Sequence, residues 1–120
     1  MQHQNKTKEF GRTRNQRTAL WKTMLGSLIM QEKIKTTEAK AKELKVRIDK
    51  IINKAKKGQS EAKKLGVRRD FGKYIPEIAI KKIMGEFLKR FENKNSGYTR
   101  VIKLAPRKGD GAKVAIIEFV

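Results

Sequence analysis

The amino-acid sequence predicts an α/β domain of the α+β kind: helix, strand, three helices, two strands, with a small mixed three-stranded sheet packed against the helices. Three observations lead there. Apolar residues recur at three- and four-residue spacing in separate stretches, as in helices with one buried face. Short stretches alternate or run apolar in the manner of strands, and a Gly-Asp-Gly turn joins the last two. Residues 1–12 carry charge without periodicity, which sets them apart as a flexible basic N-terminal arm ahead of a single domain, 13–120.

The first helix pattern begins at Thr13, where Thr13 and Asn15 both suit the cap. Leu20, Trp21, Met24, Leu25, Leu28 and Ile29 form its stripe. Lys33 to Thr37 alternates charged and apolar residues and reads as a short strand. Thr37 then caps a second helix to about Lys57, with Ala41, Leu44, Ile48, Ile51, Ile52 and Ala55 inward and Gly58 as its stop. Its other face carries Lys40, Arg47, Lys50, Lys54 and Lys57. Glu38–Lys42 and Glu43–Arg47 sit in the favoured four-residue orientation. Ser60 and Glu61 open a third helix that ends near Arg69. Pro76 starts a fourth, with Ile80, Ile83, Met84, Phe87, Leu88 and Phe91 as its stripe. Strands are expected over 98–104 and 113–119. The second is apolar on both faces around Val114–Ala115–Ile116–Ile117, which suits a central strand covered by helices on one side.

Charge dominates the composition. Lys and Arg number 31 against 12 Asp and Glu, a net +19. Five successive stretches are each net positive, so the folded body repels itself at low salt and is relieved by a polyanion. Solubility alone asks a small domain for a net charge of only roughly 2–8. Nucleic acid phosphate is the expected partner. Lys outnumbers Arg 22 to 9, which favours backbone contact over the reading of base edges.

Catalytic chemistry is not expected. There is no cysteine, and the single histidine is His3, which excludes disulfides, thiolate metal sites and a His-based metal cluster. Ser27, Ser60 and Ser96 have no placeable base. Gly109–Asp110–Gly111 suits a hairpin turn better than a phosphate loop. No cofactor, metal or small-molecule substrate is expected. The apolar run over 24–30 is broken by Gly26 and Ser27 and is too short for a bilayer, so no membrane partner is expected either, and the chain reads as soluble and intracellular. The aromatic signature of an RNA-recognition fold and the GxxG clamp are both missing. A helix-turn-helix around Gly58 has only Gln59 for base reading. A nucleoid-associated DNA-binding protein stands as the alternative class.

Read whole, the chain resembles the bacterial large-subunit ribosomal protein family numbered seventeen. The resemblance lies in Arg17, Ala19–Leu20–Trp21 and Met24–Leu25–Gly26–Ser27–Leu28, then Glu32–Lys33–Ile34–Lys35–Thr36–Thr37 and Lys40–Ala41–Lys42–Glu43–Leu44. It continues through Gly97–Tyr98–Thr99–Arg100, Arg107, Gly109–Asp110 and the final Ile117–Glu118–Phe119–Val120. Gln2–His3–Gln4 and Asn15–Gln16–Arg17 stand where the family usually has a denser Arg/His start and a Ser-His-Arg. The resemblance implies binding to large-subunit ribosomal RNA near the exit of the peptide tunnel, beside other ribosomal proteins, in the cytoplasm.

Candidate RNA contacts come first from the arm and first turns: Lys6, Lys8, Arg12, Arg14, Arg17 and Lys22. Cations in the first turns of a helix oppose its dipole unless phosphate compensates. Lys35, Thr36, Lys40 and Lys42 lie around a helix N-terminus, where phosphate contact and ordinary capping are both open. Tyr98 and Arg100 suit stacking and clamping, and equally the packing of a strand start. Arg107 and Lys108 sit on the turn beside Gly109. Lys45, Lys50 and Lys56 read as a solvated face, and Trp21 and Phe87 as core.

Overall fold

The computed structural model describes residues 13–120, and the expected arm at 1–12 lies outside them. Helix α1, Arg14–Gln31, starts on Thr13 rather than Asn15. The Thr13 hydroxyl accepts the Gln16 N–H while the Gln16 side chain accepts the Thr13 N–H, a reciprocal capping box. Its stripe buries Trp21, Leu25, Leu28 and Ile29. The helix ends at Glu32, a non-glycine residue at φ 65° whose N–H bonds the Leu28 carbonyl at 2.7 Å. That left-handed turn sends the chain straight into strand β1, Lys33–Thr37.

Thr37 closes β1 and also caps α2, Glu38–Lys57. The helix is charged as its dipole asks, with Glu38 in its first turn and Lys54, Lys56 and Lys57 in its last. Ala41, Leu44, Ile48, Ile52 and Ala55 are fully buried, so α2 runs through the middle of the core. Helix α3, Glu61–Phe71, extends two residues beyond the expected end, because Phe71 turns inward and is fully buried.

The expected fourth helix divides in two. Helix α4, Glu77–Ile83, stops at Met84; the chain turns at Gly85, and a 3-10 helix follows, Glu86–Phe91. Glycine weakens a helix interior by about 1 kcal/mol, and here the break lets both halves keep their apolar side inward. Ile80, Ile83, Met84, Leu88 and Phe91 are buried as the stripe required. Phe91 meets Phe87 and Tyr98 edge-on, each with ring centres 5.3 Å apart, and Phe87 meets Phe119 the same way at 5.0 Å.

Strands β2, Thr99–Lys103, and β3, Val114–Phe119, complete a sheet in the order β1-β3-β2. The expected mixed sheet is corrected: both pairings are antiparallel. Strands β1 and β2 do share a direction, but β3 lies between them, so no parallel pair forms. The expectation of a central β3 holds. Ile34, Ile117 and Val101 line up on the face toward the helices, whereas Lys33, Glu118 and Arg100 line up on the open face.

One close approach joins the two ends of the helical layer. A Cβ placed on Gly26 of α1 would lie 2.7 Å from the ring carbons of Pro76, at the head of α4. Gly26→Val therefore has to push the two segments apart. Such overpacking costs about 1–3 kcal/mol. Thermal melts should show the loss as a clearly lower midpoint; a midpoint equal to that of the parent would refute the close approach.

Candidate nucleic-acid interface

The first turn of α1 carries no acidic residue and its last turn no basic one, the reverse of α2. Arg14, Arg17 and Lys22 project from this end into a hollow of about 400 Å³. Arg47 of α2 and Lys73 and Tyr74 of the α3–α4 connection close it, over Trp21 and Leu25. A second hollow, about 390 Å³, shares Leu25, Arg47 and Tyr74 with the first and adds Val46, Lys50, Ile51 and Lys54. A third, about 340 Å³, adds Arg69 and shares Lys54 and Lys73. Together they form one trough along α2. Eight cations line it against two carboxylates, Glu43 and Asp70.

Those two carboxylates are engaged. Glu43 meets Arg47 at 3.3 Å, and Asp70 pairs with Lys54 and, at 3.9 Å, with Lys73. The Lys22 ammonium donates to the Gly72 carbonyl at 3.1 Å, which ties α1 to the loop carrying Tyr74. The Arg47 guanidinium lies 4.7 Å from the centre of the Trp21 ring, a stacking that holds it in place. One terminal nitrogen of Arg17 is buried without a hydrogen-bond partner among the described residues. Arg14, Lys50 and Arg69 pair with no carboxylate there. Fixed guanidiniums and unpaired ammoniums over an apolar floor suit phosphates flanking an apolar group.

Of the residues singled out from the sequence, the structure brings Arg14, Arg17 and Lys22 together in the trough. Lys6, Lys8 and Arg12 lie outside the described residues. The others belong to the sheet side and contribute nothing to the trough lining. At the start of α2 the Thr37 hydroxyl accepts the Lys40 N–H, the Glu38 N–H bonds the Lys113 carbonyl, and Lys42 sits 3.0 Å from the Glu38 carboxylate. Ordinary capping thus accounts for that end. Lys42 and Lys103 hold the Glu38 carboxyl below its usual range, Lys42 foremost. Lys35 stands exposed on the open face and Thr36 is half-buried. Arg100 is paired to Glu118 at 2.9 Å.

Of the two readings open for Tyr98, stacking on a base and packing at a strand start, the structure shows the packing. Tyr98 is fully buried against Phe91, its hydroxyl donates to the Asn53 side-chain oxygen, and the Lys56 ammonium donates to it at 3.1 Å. The ring fills the junction of α2 and the sheet. Lys56, expected on a solvated face, is drawn into that junction as well. Arg107 clasps Asp110 with two bonds of 3.0 and 2.7 Å, and Lys108 beside it is exposed.

The trough also holds Arg47, Lys50 and Lys54, which sequence reasoning placed on the outer face of α2 without assigning them an RNA contact, and Arg69, Lys73 and Tyr74, to which it assigned none either. Spacing along α2 does put residues 47, 50 and 54 on one face, which is a readable signal. Nothing in the sequence brings Arg69, Lys73 or Tyr74 beside them.

The fold and trough define a class: small basic α+β proteins whose cationic surface suits a polyanion. A family model described as ribosomal protein L17 matches residues 20–120. The chain is 45% identical to the large ribosomal subunit protein bL17 of Hydrogenobaculum sp. (strain Y04AAS1), covering 100% of this chain and 99% of that one. It is 42% identical to the bL17 protein of Shouchella clausii (93% and 97% covered) and 40% identical to that of Staphylococcus carnosus (94% and 98%). The chain belongs to the ribosomal protein L17 family, a family of ribosomal proteins and not of enzymes. No helix among the described residues is long and apolar enough to cross a membrane.

The 105–113 loop offers a direct test of its own geometry. The Arg107 guanidinium, helped by the Ala112 N–H, pulls the Asp110 carboxyl from its ordinary 3.8 to about 2. A depressed carboxyl stabilises the folded loop above its unfolded value and gives that up as pH falls through its folded one. The clasp should therefore hold at pH 4 and open toward pH 2. An NMR titration of the Asp110 carboxyl carbon should centre near 2; a midpoint near 3.8 would show that the clasp does not form.

Proposed function

We propose that this protein is a structural constituent of the large ribosomal subunit that binds ribosomal RNA through the trough along α2. We place it beside the exit of the peptide tunnel, among neighbouring ribosomal proteins, on the strength of the resemblance alone. The single observation that carries RNA binding is the trough itself: eight cations against two paired carboxylates, in a chain of a ribosomal family. The inverted charge of α1 supports it. Each cation near a helix N-terminus costs about 0.3–1 kcal/mol at low salt, and a phosphate there converts the cost into a gain. With eight cations on one strip of surface, affinity rests mostly on counterion release and falls steeply with salt.

Two measurements test this. In a sucrose gradient of a cell lysate, most of the protein should run with large ribosomal subunits; migration with nucleoid DNA would favour a DNA-binding role instead. Arg14→Gln, Arg17→Gln and Lys50→Gln, combined, should weaken binding to a ribosomal RNA fragment. They should also flatten the dependence of log affinity on log salt, by about one unit for every phosphate that is no longer neutralised. The thermal midpoint of the free protein should hold or rise slightly, because two cations leave the positive end of α1. An unchanged salt slope would rule out the trough as the RNA surface.

A further inference from the structure

Among the described residues the large apolar side chains left exposed are Met30, Val46, Leu65, Tyr74, Ile78, Ile102 and Val120, and only Tyr74 of these is aromatic. It stands 48% exposed in the wall shared by the two largest hollows of the trough. Its backbone is held by the N–H bond to the Phe71 carbonyl at 2.9 Å, and the loop by Lys22 on Gly72. The Lys54 ammonium lies 5.6 Å from the ring centre, while Arg17 and Arg47 line the neighbouring hollow. An aromatic ring held at the surface between cations matches how proteins take single-stranded nucleic acid: bases stack on the ring and cations follow the backbone. In a paired A-form stem the base faces are covered by their neighbours, so such a ring has nothing to stack on.

Resting on the RNA-binding role proposed above, we infer that the trough takes an unpaired nucleotide, its base stacked on Tyr74 and its phosphates held by Arg17 and Arg47. The ligand class is thus a bulged or looped-out nucleotide in RNA, not a continuous duplex. Each of the two hollows beside the ring, about 400 and 390 Å³, has room for a single nucleoside-sized group.

The experiment uses the full chain and two RNA hairpins of equal length, each closed by a non-nucleotide linker so that no loop base is unpaired, one with a fully paired stem and one with a single bulged adenosine. Affinities are measured at one fixed salt concentration. The bulged hairpin should bind at least about fivefold more tightly, the low end of what one base–aromatic stack contributes. Tyr74→Phe should keep that preference. Tyr74→Leu should abolish it, so that the two hairpins bind alike. Melting curves check that both variants fold. Equal affinity of the parent for the two hairpins overturns this inference alone, as does an equal weakening of both by Tyr74→Leu. Failure to bind either RNA at low salt overturns the RNA-binding role and this inference together.

Discussion

Five elements meet on Glu32. Its left-handed backbone ends α1 and starts β1, its carbonyl accepts the Phe119 N–H of β3 at 3.1 Å, and its carboxylate takes Lys82 of α4 at 3.1 Å and Arg90 of the 3-10 helix at 2.6 Å. A left-handed conformation costs a non-glycine residue about 1–2 kcal/mol. The two cations offset it in part, and they hold the carboxyl below its usual range, Lys82 foremost. In a chain of net charge +19, carboxylates are scarce, and four of them stand at such seams. Asp70 ties α3 to Lys54 of α2, Glu38 reaches Lys103 of β2, and Glu118 spans Lys33 and Arg100 on the two edge strands. Exposed pairs of this kind contribute little stability one by one. Their effect is on arrangement: they neutralise cations where elements must touch.

Cohesion comes from the apolar core, in which α2 is the common partner of the sheet, α1, α3 and the 3-10 helix. Full burial of one Leu or Ile contributes about 1.5–3 kcal/mol. The core includes Leu28, Ile29, Leu44, Ile48, Ile52, Ile75 and Ile83, each fully buried. With the core supplying stability and the carboxylates used at the seams, several cations of the trough are left without carboxylate partners. They repel one another in the free protein, and the repulsion is greatest where Arg14 and Arg17 meet the positive end of α1.

Much of this was legible from residue order. Spacing of three and four residues located the helices, Thr37 and Gly58 marked the ends of α2, and the doubly apolar 114–117 stretch marked β3 as central. What failed was what spacing does not encode. The stripe from Ile80 to Phe91 keeps helical period through Gly85, so the break into α4 and a 3-10 helix left no trace in the pattern. Strand direction depends on which strand lies between which. Tyr98 and Tyr74 look alike in sequence, each in a polar, glycine-containing stretch, yet packing buries the first entirely and leaves the second 48% exposed. Arg69 and Lys73 join the trough only because α3 folds back along α2.

The close packing of Gly26 on Pro76 has a consequence for the trough that involves no charge. Leu25, beside Gly26, is part of the trough floor, and Tyr74, two residues before Pro76, is part of its wall. Because the proline ring rests directly on the glycine backbone, the segments that carry floor and wall approach as closely as that ring allows. The pair works as a spacer gauge. Cations that brace neither the loop nor a ring, such as Arg14 and Lys50, can be exchanged, arginine for lysine, while that spacing is kept.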